Sequence, residues 1–234
     1  MAEENIWNRY IQEVRTIRGA RILELGTKRS IPDRPTISRH LFPLAAEYIG
    51  TDFQPGLDVD VVADAHSLSA SFAPESFDAI ISLSTFEHLK YPFLAAHEIM
   101  KCLKLGGRLF VQTHQTFHLH AYPSDYFRFS TEALAAMFPA QMGFRVDGTL
   151  HEFPAVIHSV VGATSPAFLN SCITGTKVAA TPASFIYDLP GLLDADAEAE
   201  QFVPHAVAGA PSGPLTLRHR VLRKLRAAAR RLGA

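Results

Sequence analysis

The sequence predicts a doubly wound α/β domain, in which helices cover both faces of a mostly parallel sheet. Two observations favour this class. Short apolar runs alternate along the chain with segments of helical periodicity, as in successive strand–helix–strand units. The first four runs lack a clean alternation of polar and apolar residues, which is typical of parallel strands buried on both faces.

Five strands and four helices are predicted in the first 140 residues. The strand candidates are residues 20–25, 48–52, 59–63, 77–83 and 107–113. The helix candidates are residues 5–15, 37–46, 92–103 and 131–137. Because ligands of such sheets bind beyond the carboxyl ends of the strands, the residues that follow each strand are the first candidates for a site.

The composition fits this class. The chain has 234 residues, 47% of them hydrophobic and 19% charged, with a formal net charge of −1. This near-neutral balance argues against a nucleic-acid partner. Cys102 and Cys172 lack disulfide or metal spacing. Residues 1–14 lack the pattern of a secretory signal, and no apolar run approaches a membrane span, so a cytoplasmic protein is expected.

Changes in composition place the end of the compact domain near residue 190. We predict a domain over residues 1–190, an acidic and Pro/Gly/Ala-rich linker over 191–216, and a basic amphipathic tail over 217–234. The tail carries seven cations and no acid, with leucines at helical spacing. This pattern suits peripheral contact with the inner face of an anionic membrane. The alternative is a solvated tail, or a helix that docks on the acidic residues 194–200.

Acids stand at the ends of the first three predicted strands, namely Glu24, Asp52 and Asp64. Gly26 permits a positive φ and a close approach of the backbone. A carboxylate at the position of Asp52 is placed to accept both hydroxyls of a ribose. Asp64 and the amide of Ala65 suit the amine and ring nitrogen of adenine. Each acid alone is a common cap or loop residue, but three at successive strand ends favour a site.

The motifs ILELG, YIGTD, VVADAHSL, FDAIISLSTFEHL and EIMKCLKLGGRLFV resemble those of class I S-adenosylmethionine-dependent methyltransferases, over roughly residues 20–140. The resemblance implies a Rossmann-like sheet of seven strands that ends in an antiparallel pair at the C-terminal side. GFRVDGTLHEF and TKVAATPASFIYDL are the candidates for that pair. The segment HQTFHLHAYPSDYFRFSTEAL is similar to a branch found with polysaccharide and glycosyl-transfer pathways.

The resemblance also implies S-adenosylmethionine as the cofactor. The matching residues are Glu24, Gly26 and Thr27 for the methionine part, Asp52 for the ribose, Phe53, Asp64 and Ala65 for the adenine, and Ser82 and Ser84 for the sulfonium. The family loop usually has three glycines, whereas this one continues with Lys28 and Ser30. S-adenosylmethionine has no phosphate and needs the later glycines less than a dinucleotide does, which favours it over NAD. Lys28 and Arg29 would crowd the pocket or serve the substrate.

Residues 114–130, after the fifth strand, are expected to form the wall for the methyl acceptor. Methyl transfer is an in-line displacement in which the protein aligns the reactants and can remove a proton from a hydroxyl acceptor. His120 is the first candidate for that base and His114 the second, with Asp125 to orient either. The candidate substrate-binding residues are His88, Tyr122 and Arg128, the last for an anionic acceptor. The alternative is that these side chains only pack.

His114, His118 and His120 also raise the question of a metal, but no set of carboxylates near them in the sequence completes a site, so none is expected. The predicted function is methyl transfer to an oxygen of a small-molecule or glycan acceptor. Three alternatives stay open: a catalytically silent binding or regulatory module, an NAD(P)-dependent oxidoreductase, and a nucleic-acid methyltransferase that uses the basic tail.

Overall fold

The computed structural model describes residues 5–185 and 187, so the whole of the predicted linker and of the tail lies outside the described residues. Within them, seven strands form one sheet: β1 Arg21–Leu25, β2 Glu47–Asp52, β3 Val61–Val62, β4 Phe77–Leu83, β5 Leu103–His114, β6 Phe144–His158 and β7 Thr164–Lys177. The α-helices are α1 Ile6–Arg15, α2 Pro92–Cys102 and α3 Thr131–Ala136. Single 3₁₀ segments cover Arg39–Leu41, Ala65–Ala70, Phe86–His88 and Ala140–Met142.

The sheet has the order β3-β2-β1-β4-β5-β7-β6. Strands β1 to β5 pair in parallel, and β7 is antiparallel to both β5 and β6. The direction of strand order reverses between β1 and β4, which is where ligands of doubly wound sheets bind. The predicted α/β class, the number of strands and the antiparallel pair are confirmed.

Apolar side chains cover both faces of the sheet. On one face, α2 and its Ile99 pack with Leu23 and Ile80 in the larger cluster. On the other face, α1 contributes Tyr10 to a cluster with Ile22, and its hydroxyl donates to the carbonyl of Ile80 at 3.0 Å. Neighbours along β1 therefore point to opposite faces, as strand geometry requires. No helix in the described part of the chain has the length and apolar character needed to cross a membrane.

The prediction of a helix over residues 37–46 is wrong, since only the 3₁₀ turn Arg39–Leu41 forms there. Pro43 has no amide hydrogen, and its ring disfavours the helical conformation at Phe42. Burial of Phe42 at 4% exposure explains the apolar periodicity without a helix.

The second member of the antiparallel pair also differs from the prediction. The candidate TKVAATPASFIYDL contributes only Thr176 and Lys177 to β7. The rest of this strand, residues 164–175, precedes the candidate in the chain. Residues of β7 from Asn170 to Thr174 are all buried, so the strand shows no alternation that would mark it in the sequence.

Candidate functional site

The carboxyl ends of the parallel strands meet along one side of the sheet, which we call the strand-end edge. Register places Leu25 of β1 beside Thr51 of β2 and Ser82 of β4, and Leu83 of β4 beside Gln112 of β5. The residues that follow these strands therefore share one region. The structure brings the predicted cofactor and acceptor residues to neighbouring parts of it.

Glu24 lies inside the sheet at 2% exposure and does not face an open cleft. Its carboxylate accepts hydrogen bonds from the amide of Ser38 at 2.7 Å, the hydroxyl of Ser38 at 2.9 Å and the hydroxyl of Tyr48 at 2.7 Å. Burial raises the pKa of Glu24, and these hydrogen bonds offset the rise only in part. Glu24 thus anchors the far end of the loop after β1.

Gly26 begins that loop in the left-handed conformation, with φ of 75°. A Cβ atom there would lie 2.0 Å from Oγ1 of Thr85, so both the φ value and the close approach require glycine. The amide of Gly26 donates to the carbonyl of Thr51 at 2.8 Å, and the Thr27 hydroxyl donates to the carbonyl of Asp58 at 2.7 Å. The side chain of Thr85 therefore occupies the space over Gly26.

Lys28 and Arg29 turn towards the loop after β2. The guanidinium of Arg29 donates to both carboxylate oxygens of Asp58 at 2.8 Å, and Nζ of Lys28 donates to Gln54 at 2.6 Å. The Arg29 hydrogen bonds hold the pKa of Asp58 below its usual range. These two residues fasten one loop to the other.

Asp52 stands at the end of β2 as predicted. Its carboxylate accepts from the amides of Gln54 at 3.0 Å and Lys28 at 3.3 Å, which fixes its orientation and leaves lone pairs for a ligand. The adjacent Phe53 is 65% exposed. A carboxylate with an exposed aromatic ring beside it is a suitable site for a ribose and its base.

Asp64 caps the 3₁₀ segment that begins at Ala65. Oδ1 of Asp64 accepts from the His66 amide at 2.9 Å and lies 2.7 Å from Nδ1 of the same residue. Burial raises the pKa of Asp64, but the two His66 hydrogen bonds outweigh it, and the net shift is downward. Its side chain is 56% exposed, so the second oxygen faces solvent at the same edge as Asp52.

Five buried polar atoms in the described residues have no hydrogen-bond partner, and three of them lie at the strand-end edge: Oγ of Ser82, Oε1 of Glu87 and Oε1 of Gln115. An unpaired buried polar group costs about 1–3 kcal/mol. Such atoms mark places where a polar ligand would lower the free energy. Ser84, also predicted here, is exposed, has a positive φ and donates its amide to Gln112 at 2.9 Å.

Glu87 is a further functional candidate, for which no role was predicted from the sequence. It follows β4 and is fully buried. Oε2 accepts from the Thr113 hydroxyl at 2.6 Å, while Oε1 lies 3.2 Å from Nε2 of His114 and 3.9 Å from Nε2 of His88. The sequence does contain a signal for it. Glu87 follows β4, and β4 is the neighbour in the sheet of β5, which ends at His114.

Two predicted bases surround this carboxylate. Nδ1 of His114 lies 3.0 Å from Oδ1 of Asn170. The His120 ring centroid lies 5.3 Å from that of His114 and 4.8 Å from that of His88. One ligand-type atom from each of Glu87, His114 and His120 lies within 4.8 Å of the others. We call Glu87, His88, His114 and His120 the histidine cluster.

Asp125 contacts His120 in the way the predicted orienting role requires. It accepts the His120 amide at 2.8 Å and lies 3.3 Å from Nδ1 of that ring. Arg128 donates to both oxygens of Asp125, at 2.5 and 2.9 Å, and holds the pKa of this carboxyl well below its usual range.

The remaining substrate candidates are placed differently from expectation. Arg128 also donates to the carbonyls of Phe117, His118 and Phe127, so its donors serve the loop and not an anionic acceptor. Tyr122 is 94% exposed and forms no wall of the site. Nδ1 of His88 lies 2.6 Å from the carbonyl of Ser124, which ties that ring to the same loop.

Comparison with known proteins gives a sequence match and several matches in fold. A family model described as a methyltransferase domain matches residues 36–111, from the loop after β1 to β5. The match ends before His114, so the acceptor loop lies beyond it. No curated protein sequence matches the chain.

Solved structures resemble this fold at low sequence identity. A SAM-dependent methyltransferase from Archaeoglobus fulgidus has a TM-score of 0.55 at 17% identity, covering 74% of this chain and 91% of its own. The YcgJ protein from Bacillus subtilis has a TM-score of 0.52 at 17% identity, and the match covers 74% of this chain and 99% of that one. A putative methyltransferase from Haloferax volcanii, in complex with the activator Trm112, has a TM-score of 0.52 at 16% identity, and the match covers 75% of this chain and 90% of that one. These likenesses establish the fold.

Proposed function

We propose that this chain transfers a methyl group from S-adenosylmethionine to an oxygen of a small-molecule or glycan acceptor. The match of residues 36–111 to a methyltransferase-domain model and the likeness in fold support the proposal. The observation that carries the proposal is the layout of the strand-end edge. A half-buried carboxylate ends β2 and an exposed one follows β3, while a buried carboxylate follows β4 and histidines lie at and after the end of β5. Cofactor groups thus lie beside groups suited to an acceptor.

The adenosine half of S-adenosylmethionine fits the residues after β2 and β3. Asp52 would accept the ribose hydroxyls, and Asp64 would accept the exocyclic amine of adenine. The bound cofactor supplies a sulfonium-activated methyl group. The unpaired hydroxyl of buried Ser82 stands at the end of β4, between the adenosine side and the histidine cluster.

The acceptor would lie against the histidine cluster. Nδ1 of His120 points to the carbonyl of His118 at 3.2 Å and to Asp125, so its proton resides there and Nε2 keeps a lone pair. A basic nitrogen of this kind suits an acceptor that must lose a proton, such as a hydroxyl. The glycan class rests on the resemblance of residues 114–134. Cytoplasmic location and membrane contact through residues 217–234 stay predictions.

A catalytically silent cleft is the second candidate, and one observation favours it. The Thr85 side chain fills the space over Gly26, and no α-helix follows the loop after β1, only the 3₁₀ turn Arg39–Leu41. If Thr85 does not move aside, the methionine half of the cofactor has less room than the adenosine half.

Calorimetric titration with S-adenosylhomocysteine separates the two candidates. We expect micromolar binding by the wild type and a loss of about 10–100-fold in Asp52→Ala, because the carboxylate hydrogen bonds to the ribose disappear. Glu47→Ala, which removes an exposed carboxylate at the amino end of the same strand, is the matched control and should bind as the wild type. NADH should not bind. Absence of binding by folded wild-type protein would favour the silent cleft.

A further inference from the structure

We propose that Glu87, His114 and His120 bind a divalent transition-metal ion of the zinc class at the strand-end edge. An oxygen of the acceptor would take an open coordination position on this ion. With the lone pair of His120 engaged by the ion, the ion would take the place of His120 in favouring loss of the hydroxyl proton, which would pass to solvent. The role towards the acceptor rests on the proposed function, whereas metal binding itself does not. The sequence indicated no metal because no set of carboxylates near these histidines along the chain completes a site; the fold brings Glu87 to them from beyond the end of β4.

The separation of the first two ligand atoms fits a metal between them. Oε1 of Glu87 and Nε2 of His114 lie 3.2 Å apart. Two ligands of a tetrahedral zinc ion, each about 2.0–2.1 Å from the metal, are about 3.3 Å apart. The ligand atom of His120 lies within 4.8 Å of both. Two histidines and one carboxylate are also a known ligand set for catalytic metals that keep positions open for substrate.

The outer hydrogen bonds fix the orientation of each ligand. Nδ1 of His114 meets the carboxamide oxygen of Asn170 at 3.0 Å, and Nδ1 of His120 meets the His118 carbonyl at 3.2 Å. Oxygen acceptors at Nδ1 place the proton there, so Nε2 is the nitrogen with the lone pair. Metal-bound histidines nearly always have such an outer partner, and ligating carboxylates are hydrogen-bonded as well. The Thr113 hydroxyl fulfils this role for Oε2 of Glu87 at 2.6 Å.

The charge balance of the cluster points in the same direction. Glu87 is fully buried, and Oε1 has no hydrogen bond. Among the described residues, the basic groups within 4 Å of this carboxylate are the rings of His88 and His114. Oε1 of Glu87 and Nε2 of His114 face each other at 3.2 Å. A divalent cation between the two atoms would give both of them a partner and would place a positive charge beside the buried carboxyl group.

Titration of the chelator-treated full chain with Co²⁺ tests the proposal through the visible absorption of the bound ion, followed by displacement with Zn²⁺. We expect one ion per chain. Glu87→Gln and His114→Ala should each weaken Co²⁺ binding by 100-fold or more, since each removes a ligand. His118→Ala is the matched control, because it removes a histidine ring from the same loop but keeps the carbonyl that contacts His120. This control should bind Co²⁺ as the wild type does.

Absence of stoichiometric Co²⁺ and Zn²⁺ binding by the folded wild type would overturn the proposal, as would wild-type affinity in Glu87→Gln and His114→Ala. If these two substitutions prevent folding, His120→Ala replaces them, because its ring is 25% exposed and leaves less of a cavity. Titration with S-adenosylhomocysteine is independent of these readouts. Metal binding without cofactor binding would support the metal site and contradict the proposed function. Cofactor binding without metal binding would support the proposed function and contradict the metal site.

Discussion

Arg29 and Asp58 hold the loop after β1, a loop in which the resembling family usually has further glycines. Their two hydrogen bonds, with a third from the Thr36 amide to Asp58 at 3.1 Å, attach the loop to the segment after β2. The non-glycine residues thus have a structural task that glycines would not perform. A phosphate-free cofactor tolerates this arrangement because no pyrophosphate needs the loop amides.

Asp58→Asn should therefore change the dependence of stability on pH. The folded-state pKa of Asp58 is lowered, mainly by the Arg29 hydrogen bonds, so its stabilisation is present above the unfolded-state pKa of about 3.9 and is lost as pH falls below it. At neutral pH the variant should lose about 2 kcal/mol. Denaturant unfolding between neutral and acidic pH measures both effects.

The matched control for this experiment is Asp33→Asn. Asp33 acts on Arg29 through its charge alone, so this variant should stay close to the wild type. Equal losses in both variants would contradict the specific role of Asp58. So would a loss in Asp58→Asn that persists unchanged at acidic pH.

At the scale of elements, Glu24 stabilises a connection that has no α-helix. Glu24→Gln retains one acceptor oxygen for three donors, so we expect a loss of about 1–2 kcal/mol and faster amide hydrogen exchange over residues 27–38. Glu47→Gln, at an exposed ion pair with Arg21, is the control and should change stability by about 0.5 kcal/mol or less. Unchanged exchange in Glu24→Gln would show that other contacts hold the loop.

The elements that the sequence predicted well are those with a local signal. Helix α1 begins after Asn5, whose side chain accepts from the amides of Trp7 and Asn8, and β4 has the predicted bounds. Strand β7 could not be found because its buried residues come from pairing with β5 and β6 and leave no period of two. The false helix at residues 37–46 arose from apolar spacing that serves burial of Phe42.

At the scale of the whole molecule, the fold class is confirmed, and the methyltransferase-domain model matches residues 36–111. The common location of the acids at the strand ends could be predicted from the sequence, because parallel strands bring their carboxyl ends to one edge of the sheet. The histidine cluster could not, because its geometry depends on β4 lying beside β5 and on the loop after β5 folding back. The amides of Tyr126 and Phe127 make that return by donating to the carbonyl of Glu87.

The most direct test of the account is a crystal structure of the chain with bound S-adenosylhomocysteine. We expect the ribose hydroxyls on Asp52, the adenine beside Asp64, and the sulfur facing the cleft in front of Glu87, His114 and His120. This would place a transferred methyl group between the cofactor and the histidine cluster. A ribose away from Asp52, or a sulfur that faces away from the cluster, would contradict the proposed reaction at this edge.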